Sequence, residues 1–235
     1  MNAAAASSVP EIEDLSNRAD MQIEHYVAAA SAYVLRAPEL DASQKKAGQI
    51  RLSAALGKIL ANDLRQRVPW MEPFPGEREV SGALRIAKAD VSELHDLDGL
   101  RLAVEIKPVN LAVGRAIWNR FGDIRMFAVN LHLKFPFAVL GGVLVIPTWE
   151  LAKTGSGLAH KSTLPLIDRV IDRLSRAGGR RTEGDAAHLL EGIGVVVYDP
   201  DEASMSPDVP KRGSGLRWEE FVESMAETYE ARFEQ

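Results

Sequence analysis

Two acidic residues and a lysine in the middle of the chain have types and a spacing that suit metal-assisted chemistry. Glu105 and Lys107 are separated by one residue, and Asp90 precedes them on the other side of the turn Asp96–Gly99. A hard cation such as Mg²⁺ takes oxygen ligands, typically one or two carboxylates together with water and substrate phosphate. A lysine beside it can orient or deprotonate the attacking water, or offset the charge that develops at phosphorus. These residues predict metal-assisted attack of water on a phosphate ester.

The strands that carry these residues determine whether the carboxylates meet. Residues 79–95 have the character of one or two strands, and 100–109 form another, in which Leu102, Val104 and Ile106 alternate with Arg101, Ala103, Glu105 and Lys107. If the turn is centred between Leu97 and Asp98, Asp90 lies opposite Glu105, and Ser92 lies close to Ala103. Opposed residues project to one face with Cβ atoms about 5 Å apart. Because two opposed carboxylates repel each other, the pairing predicts a cation between them.

Other assignments of these residues remain open. A one-residue shift in register would move Asp90 to the opposite face of the sheet. Glu105 and Lys107 alone would also fit the solvated face of an edge strand. Asp96 and Asp98 compete with Asp90 for the role of first carboxylate, although Asp-x-Asp-Gly is typical of a hairpin turn. Two weaker candidates are interpreted as solvated strand residues: Glu79 and Glu93.

The remaining elements follow from hydrophobic periodicity and from the positions of Pro and Gly. We expect helices at 11–36, 43–67 with Ser43 as N-cap, 113–128, 164–177, 185–190 and 216–233, and buried strands at 139–146 and 193–198. Residues 1–10 are expected to be disordered, 70–76 to form a connector, and the segment around Gly155 and residues 199–215 to form loops. Residues 128–135 fit either the end of a helix or an alternating strand. This order predicts an α/β fold with a mixed central sheet flanked by helices.

Composition limits the function classes. The chain has 235 residues with 46% hydrophobic and 26% charged residues, which suits one large globular domain. No apolar run is long enough for a membrane span, no secretory signal is visible, and there is no cysteine, so we expect a cytoplasmic protein without a membrane partner. A phosphate-cradling GxxxxGK[ST] motif is absent, so no nucleotide cofactor is expected. The net charge of −5 does not exclude nucleic acid, because phosphates respond to local basic clusters.

Two segments resemble a known family. The segments 84–92 and 104–110, with Asp90 followed after a hairpin by Glu105-Ile106-Lys107, resemble the Asp…Glu-x-Lys signature of the PD-(D/E)XK nuclease superfamily, particularly bacterial type II restriction enzymes. The core pattern covers roughly residues 43–147. The resemblance implies a restriction-endonuclease-like fold with additional N- and C-terminal helices. It also implies that Asp90 and Glu105 bind Mg²⁺, with Mn²⁺ as a substitute, and that Lys107 assists the nucleophilic water.

The chain departs from the family pattern at one position and leaves another unassigned. Ala89 stands where the motif has proline, a position that varies widely in such enzymes. Some relatives add an acidic or amide ligand from the first core helix, for which only Gln49 or Asp63 is available here.

The resemblance further implies a site-specific endonuclease of double-stranded DNA, acting as a homodimer because a two-fold pair matches a palindromic duplex. It would be a single nuclease domain over 1–235, with an N-terminal helical arm (1–42), a catalytic core (43–200), and a loop and C-terminal helix (201–235). Alternatives are a repair or structure-specific nuclease of the same superfamily, a non-catalytic DNA-binding or assembly protein on that scaffold, and an α/β protein in which Glu-x-Lys is coincidental.

Several basic and polar side chains are candidates for DNA contact. Arg85 and Lys88 are expected near the carboxylates, where they could hold phosphates. If residues 129–134 form a strand, alternate polar side chains form a stripe suited to base edges or phosphates, and if the segment is helical that stripe disappears. Basic loops can wrap a duplex, although charged loops are usually solvated. The stripe and loop candidates are Asn130, His132, Lys134, Arg180 and Arg181.

Overall fold

The computed structural model describes residues 21–154 and 157–234. Its helices are α1 (Ile23–Arg36), α2 (Ala42–Arg67), α3 (Val113–His132), α4 (Leu164–Leu174) and α5 (Trp218–Phe233), with a 3-10 turn at Ala37–Glu39. Its strands are β1 (Phe74–Ser81), β2 (Ile86–His95), β3 (Gly99–Pro108), β4 (Val139–Pro147), β5 (Trp149–Thr154), β6 (Gly157–Ser162), β7 (Gly192–Asp199) and β8 (Ser204–Met205).

Six strands form a mixed sheet in the order β1-β2-β3-β4-β7-β8. The first three are antiparallel neighbours, β4 and β7 join parallel to β3, and β8 pairs antiparallel with β7. Parallel neighbours need a crossover connection, and α3 lies in the crossover from β3 to β4 while α4 lies in that from β4 to β7. Strands β5 and β6 form a separate hairpin. The mixed α/β sheet flanked by helices is therefore confirmed.

The sheet is covered on both faces. One hydrophobic cluster joins α1, α2 and α5 to Leu102, Val104 and Ile106 of β3. The other joins α3 and α4 to the opposite face, which includes Ala103 of β3. The predicted alternation along β3 is thus confirmed, and Glu105 and Lys107 point toward the α3 side. Helix α1 packs in the same hydrophobic cluster as α2 and α5.

The start of α2 is set by a reciprocal cap. The Asp41 carboxylate accepts a hydrogen bond from the Gln44 N–H (2.8 Å), and the Gln44 side chain accepts one from the Asp41 N–H (2.9 Å). This capping box satisfies two N–H groups that the first turn leaves without partners, so the helix begins at Ala42 and Ser43 is not its N-cap. The predictions for residues 1–10 and for a helix over 11–20 lie outside the described residues.

Two further local predictions were wrong. Residues 185–190 are not helical, because the Asp185 carboxylate accepts hydrogen bonds from the Arg181 and Thr182 N–H groups and so stabilises a turn. Strands β5 and β6 pair on either side of residues 155 and 156, so the loop predicted around Gly155 lies outside the described residues. The connector predicted at 70–76 is shorter, because β1 begins at Phe74 and pairs with β2. Among the described residues, no helix is long and apolar enough to cross a bilayer.

Candidate active site

The register of the β2–β3 hairpin brings the two carboxylates to the same level. Val91 pairs with Val104 and Ser92 with Ala103, which confirms the predicted register. The turn itself is tighter than expected, because His95 pairs with Gly99. Continued without interruption, that pairing would place Asp90 opposite Val104. A bulge between Glu93 and Leu94 shifts the ladder by one residue, and the register from Val91–Val104, continued by one residue, would place Asp90 opposite Glu105.

A second irregularity lies at Asp90 itself. Ala89 and Val91 pack on opposite faces of the sheet, whereas strict alternation would put both on one face. The recorded β2–β3 pairs stop at Val91, and the Ile106 N–H donates instead to the Asp90 Oδ2 atom at 2.7 Å. A side-chain oxygen thus takes the place of a backbone acceptor in the ladder. This contact fixes the Asp90 carboxylate between β2 and β3.

Glu105 is buried beneath α3 and only half of its carboxylate is satisfied. The Lys107 Nζ atom lies 2.5 Å from Glu105 Oε1, while Oε2 is buried without a hydrogen-bond partner among the described residues. The neighbour of Glu105 on β4 is Gly142, where an added Cβ would lie 2.4 Å from the Ile124 side chain of α3. The glycine therefore lets α3 approach closely. A buried oxygen of this kind is costly unless it has a partner, and it suits a cation ligand.

The surroundings of both carboxyls raise their pKa values. Burial raises the pKa of Asp90 against the lowering effect of the Ile106 N–H and of Lys107, and the nearby Glu77 raises it further. Burial also raises the pKa of Glu105, although the ammonium group of Lys107 acts in the opposite direction. A divalent cation at the two carboxylates would favour their charged forms and reverse this trend.

The three side chains open into a cleft of about 250 Å³ that also carries Arg85 and Lys88. The structure thus brings both predicted basic neighbours to the carboxylates. It adds Glu77 and Phe127, which sequence analysis missed. Lys88 Nζ lies 2.7 Å from Glu77 Oε1 across the β1–β2 pair. Nothing in the sequence signalled Glu77, because the strand that carries it was expected to begin only at residue 79.

The structure gives neither proposed additional ligand a place in this cleft. Asp63 accepts a hydrogen bond from Trp218 Nε1 (2.8 Å) and so joins α2 to α5, and Gln49 does not line the cleft. In the described ranges no three His, Asp or Glu side chains form a group that could hold a metal ion. A cation held by Asp90 and Glu105 would therefore take its other ligands from water and substrate, as Mg²⁺ commonly does.

The competing carboxylates also have other roles. Asp98 lies 2.5 Å from the Arg101 guanidinium at the end of the hairpin, where it supports the turn. Glu93 is buried rather than solvated, and it accepts hydrogen bonds from the Glu72 N–H and the Tyr229 hydroxyl. Glu79 is exposed, as expected.

Three of the residues predicted to contact DNA are buried in the protein: His132, Arg180 and Asn130. Arg180 Nη1 lies 3.0 Å from Glu191 Oε1, and His132 Nε2 lies 3.1 Å from Glu191 Oε2. These predictions were wrong because both side chains partner a buried carboxylate. The polar stripe over 129–134 does not form, since α3 extends to His132 and Asn130 is buried within it. The side chains of Lys134 and Arg181 are exposed, but neither lines the cleft.

The cleft therefore combines the Asp90 and Glu105 carboxylates with the Lys107 ammonium group, and its rim carries two basic residues and a third acid, Glu77. Such an arrangement can bind a divalent cation and place a phosphate beside it. Comparison of the chain with family models, with curated proteins and with solved structures finds no match. The chemistry of the site therefore has to be inferred from its own geometry.

Proposed function

We propose that this protein is a Mg²⁺-dependent nuclease of the PD-(D/E)XK type that hydrolyses phosphodiester bonds in double-stranded DNA. One observation carries the proposal. The buried Oε2 atom of Glu105 has no partner within the described part of the chain, and it lies in a cleft shared with Asp90 and Lys107. A carboxylate oxygen buried without a partner marks a candidate functional site, because leaving it unpaired costs stability.

Each of the three residues has a defined part in this proposal. Asp90, oriented by the Ile106 N–H, and Glu105, through its free oxygen, hold the cation. When bound, the ion supplies Lewis-acid polarisation and lowers the pKa of water. Lys107 keeps its ammonium group against Glu105 Oε1, with 22% of its side chain exposed to the cleft. From there it orients the attacking water and offsets negative charge at phosphorus.

Double-stranded DNA as the substrate is supported by the surroundings of the site. The cationic side chains of Arg85 and Lys88 lie on the same cleft, where they suit phosphates on either side of the bond to be cut. The mixed sheet flanked by helices supports the proposal at the level of architecture, because the motif resemblance implies a sheet of that kind. We propose site-specific cleavage by a homodimer, since one such site cuts one strand.

The proposal is tested by incubating the purified protein with phage DNA in Mg²⁺, with EDTA as the control. We expect discrete fragments from the wild type and none in EDTA, or from Asp90→Asn, Glu105→Gln and Lys107→Ala. Asp201→Asn and Lys211→Ala change exposed residues outside the cleft and should cut normally. A smear of fragments would show that the protein cuts DNA without site specificity. Intact DNA under every divalent cation would overturn the nuclease proposal, and light scattering tests the dimer separately.

A further inference from the structure

We propose that Asn130 is a positioning residue that holds the β1–β2 turn so that Arg85 clamps a phosphate flanking the bond to be cut. This inference rests on the proposed function, which it deepens by assigning the substrate contact to one guanidinium. Asn130 itself would not touch the DNA. It would act through the turn of residues 82–85, here called the clamp turn.

The contacts of Asn130 with the clamp turn are numerous and specific. Its Oδ1 atom accepts hydrogen bonds from the Leu84 N–H (2.8 Å) and the Arg85 N–H (3.0 Å), and its Nδ2 donates to the Arg85 carbonyl (2.9 Å). Its own backbone carbonyl accepts a hydrogen bond from the Ala83 N–H (2.9 Å). Asn130 is only 1% exposed, so these bonds are shielded from water. One buried residue of α3 therefore fixes the backbone on both sides of Arg85.

Gly82 shows how closely the clamp turn fits against this amide. A Cβ added at Gly82 would lie 2.3 Å from Asn130 Nδ2 and 2.5 Å from its Oδ1. Any larger residue would force the amide or the turn to move. The Gly82 N–H also donates to the Arg85 carbonyl (3.1 Å), which closes the turn on itself. The turn is therefore held in one arrangement before any ligand arrives.

Arg85 differs from the other cation at the cleft rim. Lys88 is paired with Glu77, whereas the exposed Arg85 side chain has no ion pair with any acid in the described part of the chain. A planar guanidinium donates two parallel hydrogen bonds to a phosphate, which makes a free arginine the better clamp. Because Asn130 already orders the backbone of Arg85, binding loses less conformational entropy than it would on a mobile loop.

The positioning role is tested by a double-mutant cycle on DNA binding in EDTA, which excludes cleavage. The probe is a fluorescently labelled mixed-sequence duplex, titrated at several salt concentrations. Arg85→Ala should raise the Kd about tenfold and reduce the salt dependence by about one phosphate contact. Asn130→Ala should weaken binding in the same way. In the Arg85→Ala background, Asn130→Ala should have no further effect, whereas Lys211→Ala should leave the wild-type Kd unchanged.

Additive effects of the two substitutions would overturn the positioning role, because Asn130 would then act independently of Arg85. An unchanged Kd for Arg85→Ala would overturn the clamp itself. If thermal melting shows that Asn130→Ala does not fold, Gly82→Ala replaces it in the cycle with the same expected result. Failure of the nuclease proposal can be distinguished from failure of the clamp. If the protein binds DNA through Arg85 but never cuts it, the nuclease proposal is overturned and the clamp stands. If Arg85→Ala cuts DNA as well as the wild type does, the clamp is overturned and the nuclease proposal stands.

Discussion

Two carboxylates of this protein, Glu105 and Glu191, lie buried beside strands of the same sheet but are satisfied very differently. The Glu191 Oε1 atom lies 3.0 Å from Arg180 Nη1 and 2.8 Å from Arg232 Nη2. Its Oε2 atom lies 3.1 Å from His132 Nε2 and accepts a hydrogen bond from the Leu140 N–H at 2.9 Å. Both oxygens of Glu191 thus have two partners. Glu105 has one partner for one oxygen and none, in the described residues, for the other.

The pKa values of these groups shift in opposite directions. Burial alone would raise the pKa of Glu191, but His132, Arg232 and the Leu140 N–H outweigh it and lower the pKa. At Glu105 burial prevails over Lys107 and the pKa is raised. The two oxygens of Glu191 are both paired and help to hold the fold together, whereas Glu105 keeps one oxygen available to a ligand.

The largest expected effect is on stability. Glu191→Ala should lower the free energy of unfolding by about 3–5 kcal/mol, because it leaves the buried Arg180 guanidinium without its carboxylate. Urea denaturation measures the change. Glu105→Ala is the matched control and should cost much less. Equal losses from both substitutions would remove the contrast between the two carboxylates.

The next largest effect is on catalysis. Lys107→Ala should lower the single-turnover rate of DNA cleavage by about 10²–10³-fold, the range seen when one charge-stabilising donor is removed. Melting curves check that Lys107→Ala is folded at the assay temperature, because the substitution also leaves the buried Glu105 carboxylate without its one partner. Lys211→Ala removes an exposed lysine outside the cleft and should cut at the normal rate. A rate within about threefold of the wild type for Lys107→Ala would mean that Lys107 has no role in the chemistry.

The smallest effect is the pH dependence of stability. A carboxyl whose pKa is raised on folding destabilises the protein as pH rises from its ordinary value of 4.5 through the raised one. Without metal, Glu105→Gln should therefore raise the Tm at about pH 7, and the gain should disappear as the pH falls below 4.5. Melting curves across that range measure it. A gain independent of pH would show that the carboxylate charge is not its cause.

Glu191→Gln should change the Tm in the direction opposite to Glu105→Gln. Because the pKa of Glu191 is lowered on folding, its charge stabilises the protein above the ordinary value of 4.5, and that contribution is lost as the pH falls through the lowered pKa. The substitution should therefore lower the Tm at about pH 7 and lose its effect in acid.

The candidate site could be predicted because its three residues are close together in the sequence. Asp90, Glu105 and Lys107 lie on one hairpin, and the period of a strand places side chains on a face once the register is known. The register at Ser92 and Ala103 was predicted correctly, although the turn was not. The bulge at Glu93 compensates for the tighter turn.

The remaining features depend on contacts between distant parts of the chain. Nothing in the sequence indicates that Arg180 and His132 share a partner. The fold brings both of them to Glu191, which lies 59 residues after His132 and 11 after Arg180. Glu77 joins the cleft only because β1 pairs with β2. The sequence of residues 149–162 has charged and small residues whose pattern did not predict strands. Strands β5 and β6 form because these residues pair with each other, from Trp149 with Ser162 to Thr154 with Gly157.

Binding of Mn²⁺ to the protein without DNA tests the central claim most directly, because it requires neither the recognition sequence nor turnover. Titration calorimetry should show binding to the wild type and to Lys107→Ala. Asp90→Asn should bind at least about tenfold more weakly, and so should Glu105→Gln. Wild-type affinity in both carboxylate variants would contradict the account, because the cation would then lie somewhere other than between Asp90 and Glu105.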